Sequence, residues 1–214
     1  MGVFERLFGE HGLPQIIRTD NGAPFASRGL AGLTWLSARW LRLGIRHERI
    51  EPSHPEQNGQ HERMHRTLKQ ATTRPAGKNL LQQQERFDGF VDDFNRDRPH
   101  QALGMRPPGD FYRPSERPYI GLPELVYPLA DDVRKVRPPG VIVFSHQRNI
   151  RCYLSEALVG QSVGIRELED SRWLITFATL DLGVFDERSR LFEPLPPSMI
   201  GIQQDRPLTS ETVG

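Results

Sequence analysis

The chain has 214 residues, 36% of them hydrophobic, with 18 Pro, 19 Gly and a net charge of +1. That length supports one or two domains with real cores, and no apolar run approaches the roughly 20 residues of a membrane span. A single cysteine, Cys152, excludes an internal disulfide and a cysteine-based zinc site, and the opening Met1-Gly2-Val3-Phe4-Glu5-Arg6 lacks a signal-peptide pattern, so a soluble, cytoplasmic chain is expected.

The charge is graded along the chain. Residues 1–119 hold 18 Lys+Arg against 14 Asp+Glu, whereas residues 120–214 hold 10 against 13. Within Arg39–Lys78 the ratio is 9 to 4, with His47, His54, His61 and His65 added. A phosphate backbone would be drawn to that window, although an ordinary solvated surface accounts for many such windows.

Residues 1–12 read as a helix whose face is Val3, Phe4, Leu7 and Phe8, stopped by Gly12. Gln15–Thr19 reads as a strand ending in the Asp20-Asn21-Gly22 turn. From Leu30 to Leu43 the residues Leu33, Leu36, Trp40 and Leu43 keep helical spacing, and Gly44 closes the segment. Arg46–Ile50 reads as a short strand and Pro52–Gly59 as a polar loop. A helix is expected over about Asn58–Thr73, broken at Pro75-Ala76-Gly77, and another over about Gln83–Arg96 with Phe87, Phe90, Val91 and Phe94 on one face.

After Pro99 the texture changes, and Arg106–Pro128 carries six prolines. Short β-like runs follow at Val141–Phe144, Arg148–Leu154, Val163–Leu168, Arg172–Ala178 and Leu182–Phe185, which suggest a small barrel. The expected organisation is therefore a core over 1–105, a proline-rich linker over 106–128, a small β-rich domain over 129–195 and a disordered tail over 196–214.

Asp20 and Glu62 are separated by 41 residues. One stands at the carboxyl end of a strand and the other on the first turn of a helix. Two carboxylates on neighbouring elements are what a phosphoryl-transfer site on DNA needs to hold Mg²⁺. On the helix, Glu62, His65, Arg66 and Lys69 form one stripe, with Met64, Leu68 and Ala71 roughly opposite and packing inward. Simpler readings stay open: Asp-Asn-Gly is a common turn, and Glu62 with Arg66 has the spacing of an ion pair. His54 and Asn58 in the preceding loop could touch a phosphate, and Glu56 is a rival carboxylate whose loop position fixes its geometry poorly.

Thr19-Asp20-Asn21-Gly22 with Phe25, then Ser53-His54-Pro55-Glu56-Gln57-Asn58-Gly59 leading into Glu62-Arg63-Met64-His65-Arg66-Thr67-Leu68-Lys69, resembles the second half of the integrase catalytic core of insertion-sequence transposases and retroviral integrases. Phe94-Asn95-Arg96-Asp97-Arg98-Pro99-His100-Gln101-Ala102-Leu103-Gly104-Met105, with Pro107 and Tyr112 beyond it, is similar to the segment that closes that core in bacterial transposases.

The resemblance implies a ribonuclease-H-like α/β fold and an Asp-Asp-Glu triad holding two Mg²⁺ or Mn²⁺ ions. Asp20 falls at the second acidic position and Glu62 at the third, with Arg66 and Lys69 where such enzymes set cations against the DNA end. Only 19 residues precede Asp20 and none is Asp. The expectation is thus an α/β chain with a partial ribonuclease-H-like core, its first strands missing, followed by a small all-β barrel-like domain. Such a C-terminal transposase fragment would be inactive alone. It would act on transposon ends and target DNA as a homo-oligomer or with full-length transposase, away from any membrane. A non-catalytic DNA-binding or regulatory fragment is the alternative.

Overall fold

The computed structural model describes residues 2–51, 59–145 and 149–195. The chain forms two compact units, one built from residues 1–49 and 117–214 and the other from 50–116. In the first unit Leu33 and Ala38 pack into the core of the C-terminal strands.

In the first unit, α1 (Gly2–His11) ends at Gly12, whose φ of +76° only glycine adopts without strain. Its inward face is narrower than the sequence implied. Phe8 is buried and Phe4 half-buried, whereas Val3 and Leu7 are exposed. The parallel strands β1 (Ile16–Thr19) and β2 (Arg46–Arg49) pair Ile16 with Arg46 through Thr19 with Arg49.

Between them lies α2 (Trp35–Arg42), preceded by a 3-10 turn at Leu30–Gly32. The expected 30–43 helix is split because Thr34 caps α2: its hydroxyl accepts from Ser37 N–H at 3.1 Å, and Ser37 Oγ accepts from Thr34 N–H at 2.9 Å. Leu33, Leu36, Trp40 and Leu43 are all buried, as their spacing predicts. They divide between two cores, however. Leu36, Trp40 and Leu43 join Phe8, Leu13 and Ile45, while Leu33 and Ala38 join the core of the C-terminal strands. Burial on two sides explains why Ser37 and Ala38 are also buried.

The C-terminal part holds a five-stranded antiparallel sheet in the order β3 (Asp132–Lys135), β6 (Ser162–Glu167), β7 (Arg172–Phe177), β8 (Leu180–Asp186), β9 (Leu191–Pro194). A separate two-stranded sheet pairs β4 (Val141–Ser145) with β5 (Ile150–Tyr153). Strands β3 and β9 were not anticipated, since Asp132–Lys135 is polar and Leu191–Pro194 short. Leu174 to Phe177 are buried on both faces of β7, which erases the alternation expected of a one-sided strand. Cys152 is buried, and loss of hydration pushes its thiol up to about 12, so it stays a neutral core residue.

Residues 117–128, proline-rich and without regular structure, are docked against this unit. Arg117 donates from Nη1 to Pro14 O at 3.1 Å and from Nη2 to Leu43 O at 2.5 Å, and its own carbonyl accepts from Leu13 N–H at 2.7 Å. Arg42 bridges Gln161 Oε1 and Pro123 O. Tyr127 donates its hydroxyl to Ser162 O at 2.6 Å, and a Cβ at Gly164 would lie 2.6 Å from the Tyr127 ring. Proline removes donors but leaves carbonyl acceptors, and arginine side chains reach them.

The second unit contains α3 (Gly59–Thr73), α4 (Leu80–Asp92) and a π turn at Asp93–Asp97. Asn79 caps α4, accepting from Gln82 N–H at 2.9 Å. Among the described residues of this unit only Thr72 and Phe90 are buried. Met64 and Leu68 are half-buried as expected, but Ala71 is exposed and Thr72 replaces it, which keeps a spacing of four along the helix. No helix among the described residues is long and apolar enough to cross a membrane.

Candidate metal and nucleic-acid site

Asp20 lies in the first unit, at the carboxyl end of β1, and is exposed. Its Oδ1 accepts from Gly22 N–H at 2.9 Å, closing the turn that the Asp-Asn-Gly triplet favours. The neighbouring Thr19 hydroxyl donates to Asp20 O at 2.9 Å and lies 2.9 Å from His47 Nε2. A hydroxyl has one proton, so with that proton on Asp20 O the imidazole must donate through Nε2–H. Burial, followed by the charge of Arg49, holds the His47 pKa below its usual value and favours the neutral ring. The ring also meets Trp40 edge-on at 5.2 Å, and Phe25 stacks on the same indole at 6.1 Å. Thus the strand end that presents Asp20 is tied to the hydrophobic core through Thr19 and His47.

Beside it, Glu48 is held between two guanidiniums, with Arg18 Nη2 at 3.1 Å and Arg46 Nη2 at 2.9 Å. That carboxylate is engaged, whereas Asp20 has no ion-pair partner among the described residues.

Glu62 lies in the second unit on the first turn of α3, where a carboxylate complements the helix dipole. It is exposed, and among the described residues neither it nor Arg66 has an ion-pair partner. The i, i+4 ion pair allowed by the sequence is therefore not formed. Arg66 and Lys69 are exposed on the same stripe. Three threonines stay in the helix by donating to carbonyls four residues back: Thr67 to Arg63 at 3.0 Å, Thr72 to Leu68 at 2.8 Å and Thr73 to Lys69 at 2.6 Å. His54, Asn58 and Glu56 lie outside the described residues.

The face of α3 away from Glu62 borders a cleft of about 940 Å³ inside the second unit. Arg63, Met64 and Thr67 line one wall; Phe94, Arg98 and His100 belong to the other. His100 packs edge-on against Phe94 at 4.7 Å, and its backbone N–H donates to Arg106 O at 3.2 Å. Its Nε2 is buried and has no hydrogen-bond partner among the described residues. Arg63, Arg98 and His100 were not singled out from sequence. Their spacing carries no periodic signal, and only the turn after α4 brings the last two opposite α3.

Asp20 and Glu62 fall in different compact units, and among the described residues no group of three His, Cys, Asp or Glu side chains could hold a metal ion. In ligand type the two carboxylates do suit a hard divalent ion, since both are exposed oxygen donors outside any ion pair among the described residues.

Residues 43–108 match the integrase core domain family. The chain is 36% identical over 72 residues to the Gag-Pol polyprotein of baboon endogenous virus (strain M7), covering 34% of this chain and 4% of that protein. It is 39% identical over 72 residues to the Pol polyprotein of feline endogenous virus ECE1, covering 34% of this chain and 6% of the polyprotein. An insertion element IS476 uncharacterized 39.2 kDa protein of Xanthomonas euvesicatoria is 32% identical over 101 residues, covering 47% of this chain and 28% of its own length. The chain thus spans a minor part of each relative. The integrase-core resemblance read from the motifs is borne out, and such a core implies a ribonuclease-H-like α/β fold, consistent with the helices and sheets here.

Proposed function

We propose that this chain, with its integrase-core segment at residues 43–108, takes part in DNA transposition or integration and supplies the second and third acidic residues, Asp20 and Glu62. The observation that carries this reading is Glu62, a carboxylate inside the matched segment, exposed on a helix stripe with Arg66 and Lys69 and outside any ion pair among the described residues. Arg66 and Lys69 bind backbone phosphates, and His54 and Asn58 contribute from the sequence preceding α3.

Asp20 and Glu62 would hold Mg²⁺ or Mn²⁺, in a two-ion site when the acidic set is complete. Bound there, such ions supply electrostatic stabilisation of the phosphoryl oxygens. The chain's own residues do the rest. Thr19 and the turn to Gly22 fix the Asp20 carboxylate, and the α3 cations orient the DNA end for in-line displacement. In that reaction the oxygen of water or a 3′-hydroxyl bonds to phosphorus and gives up its proton to solvent as the P–O3′ bond breaks, and the departing oxygen takes a proton from solvent.

The second reading is a non-catalytic DNA-binding or regulatory module that engages full-length transposase. It is favoured by Arg66 and Lys69, exposed on one stripe of α3, which can meet backbone phosphates without a metal ion. In either case the chain works on DNA as a homo-oligomer or beside a longer transposase, in the cytoplasm. The β-rich residues 129–195, in two sheets that we read as barrel-like, serve assembly.

One experiment separates the readings. Strand transfer is assayed with Mg²⁺ and labelled duplex ends, using the chain alone and mixed with full-length transposase. A gain in strand transfer in the mixture that disappears with Glu62→Gln supports the catalytic reading, whereas activity of the chain alone would overturn its dependence on a further acidic residue. Inhibition of the longer protein, with no activity alone, establishes the regulatory module; neither outcome removes both readings.

A further inference from the structure

Helix α3 carries a second donor set that the carboxylate reading does not use. In His61-Glu62-Arg63-Met64-His65 the two histidines stand four residues apart, one turn of the helix. Their rings lie 4.2 Å apart between centroids with an interplanar angle of 50°. Both are exposed, and among the described residues neither ring has a hydrogen bond or an ion pair. Two imidazoles so placed can turn a nitrogen lone pair toward one point without moving the backbone.

We propose that His61 and His65 form a bidentate site for a late first-row transition ion, Zn²⁺ first, with water in the remaining positions. Imidazole nitrogen binds Zn²⁺ at about 2.0–2.1 Å, and two histidines at this spacing on one helix face are a known way to hold it. Mg²⁺ selects oxygen ligands and gives up its water reluctantly, so it does not compete for these nitrogens. Glu62 is rotated by about 100° from His61 around the helix axis and stays available to an oxygen-ligand ion. A hydrolytic zinc site takes a third protein ligand, and none converges here among the described residues. The inference is therefore a binding site, and it stands whether or not Asp20 and Glu62 act on DNA.

The test is titration of the chelator-treated full chain with Zn²⁺ by calorimetry, and with Co²⁺ by visible absorption, both in excess Mg²⁺. Binding that survives Mg²⁺ is expected, weakened at least about tenfold in His61→Ala and in His65→Ala and unchanged in Asp20→Asn, with helix content checked by circular dichroism. Equal affinity in the double His61→Ala/His65→Ala variant, no binding, or displacement by Mg²⁺ would each overturn the proposal. Absence of any Glu62-dependent strand transfer with Zn²⁺ binding intact would remove the catalytic reading alone.

Discussion

Thr19 Oγ1 and His47 Nε2 stand 2.9 Å apart across the parallel pair of β1 and β2, so the strand end bearing Asp20 is latched to a half-buried imidazole. Protonating His47 would keep its Nε2–H but set a half-buried cation beside Arg49. Burial and Arg49 lower its folded pKa, so the unfolded chain binds the proton more readily. Its contribution is present above the unfolded value of about 6.5 and is lost as pH falls below it. Thermal unfolding between pH 5 and pH 8 is expected to show this loss. His47→Gln, whose amide can still donate to Thr19, should flatten the difference, and an unchanged pH profile would remove His47 from the account.

Asp20 has two separable roles. Asparagine keeps an oxygen for the Gly22 N–H but loses the charge, so Asp20→Asn should leave the melting temperature within about 2 °C of the parent. It should also abolish whatever strand transfer the chain supports, alone or complemented. Asp20→Ala loses the turn acceptor too and should melt lower than Asp20→Asn. Full activity in Asp20→Asn would show that the residue is only a turn former.

For the cations of α3, the readout is salt dependence. If Arg66 and Lys69 each meet one phosphate, Arg66→Ala/Lys69→Ala should lower the slope of log affinity against log salt by about 2. Binding to duplexes of unrelated sequence should weaken alike. A slope that does not move would take α3 off the DNA.

Trp40 is fully buried between Phe4, Phe25 and His47, yet among the described residues its indole N–H has no hydrogen-bond partner. Trp40→Ala should cost about 3–5 kcal/mol of unfolding free energy in urea. Trp40→Phe leaves no partner stranded and should cost less than about 1.5 kcal/mol. Equal losses in the two variants would show that the N–H is satisfied in solution.

Much of the local structure was legible because short-range chemistry dictates it. Leu33, Leu36, Trp40 and Leu43 announced a buried segment through their spacing, and glycines closed both α1 and α2. The cap at Thr34, which splits that segment, was missed because a capping box needs the N3 partner, here Ser37. Ala71 was placed inward by a strict stripe, whereas α3 buries Thr72 once its hydroxyl is satisfied by Leu68 O. The strap at 117–128 looked like a spacer because prolines mark extended backbone, and nothing local says whether such backbone is free or pinned.

By itself the amino-acid order determined the motifs, the helix that offers Glu62 with Arg66 and Lys69, and the turn that presents Asp20. These follow from periodicity and turn chemistry within a dozen residues. Only the tertiary structure decided that residues 1–49 share cores with the C-terminal strands, that Arg117 and Arg42 pin the proline-rich strap, and that Asp20 and Glu62 fall in separate compact units. Such contacts join residues many positions apart. Their free energy comes from apolar burial and from the satisfaction of specific carbonyls, neither of which leaves a repeating mark along the chain.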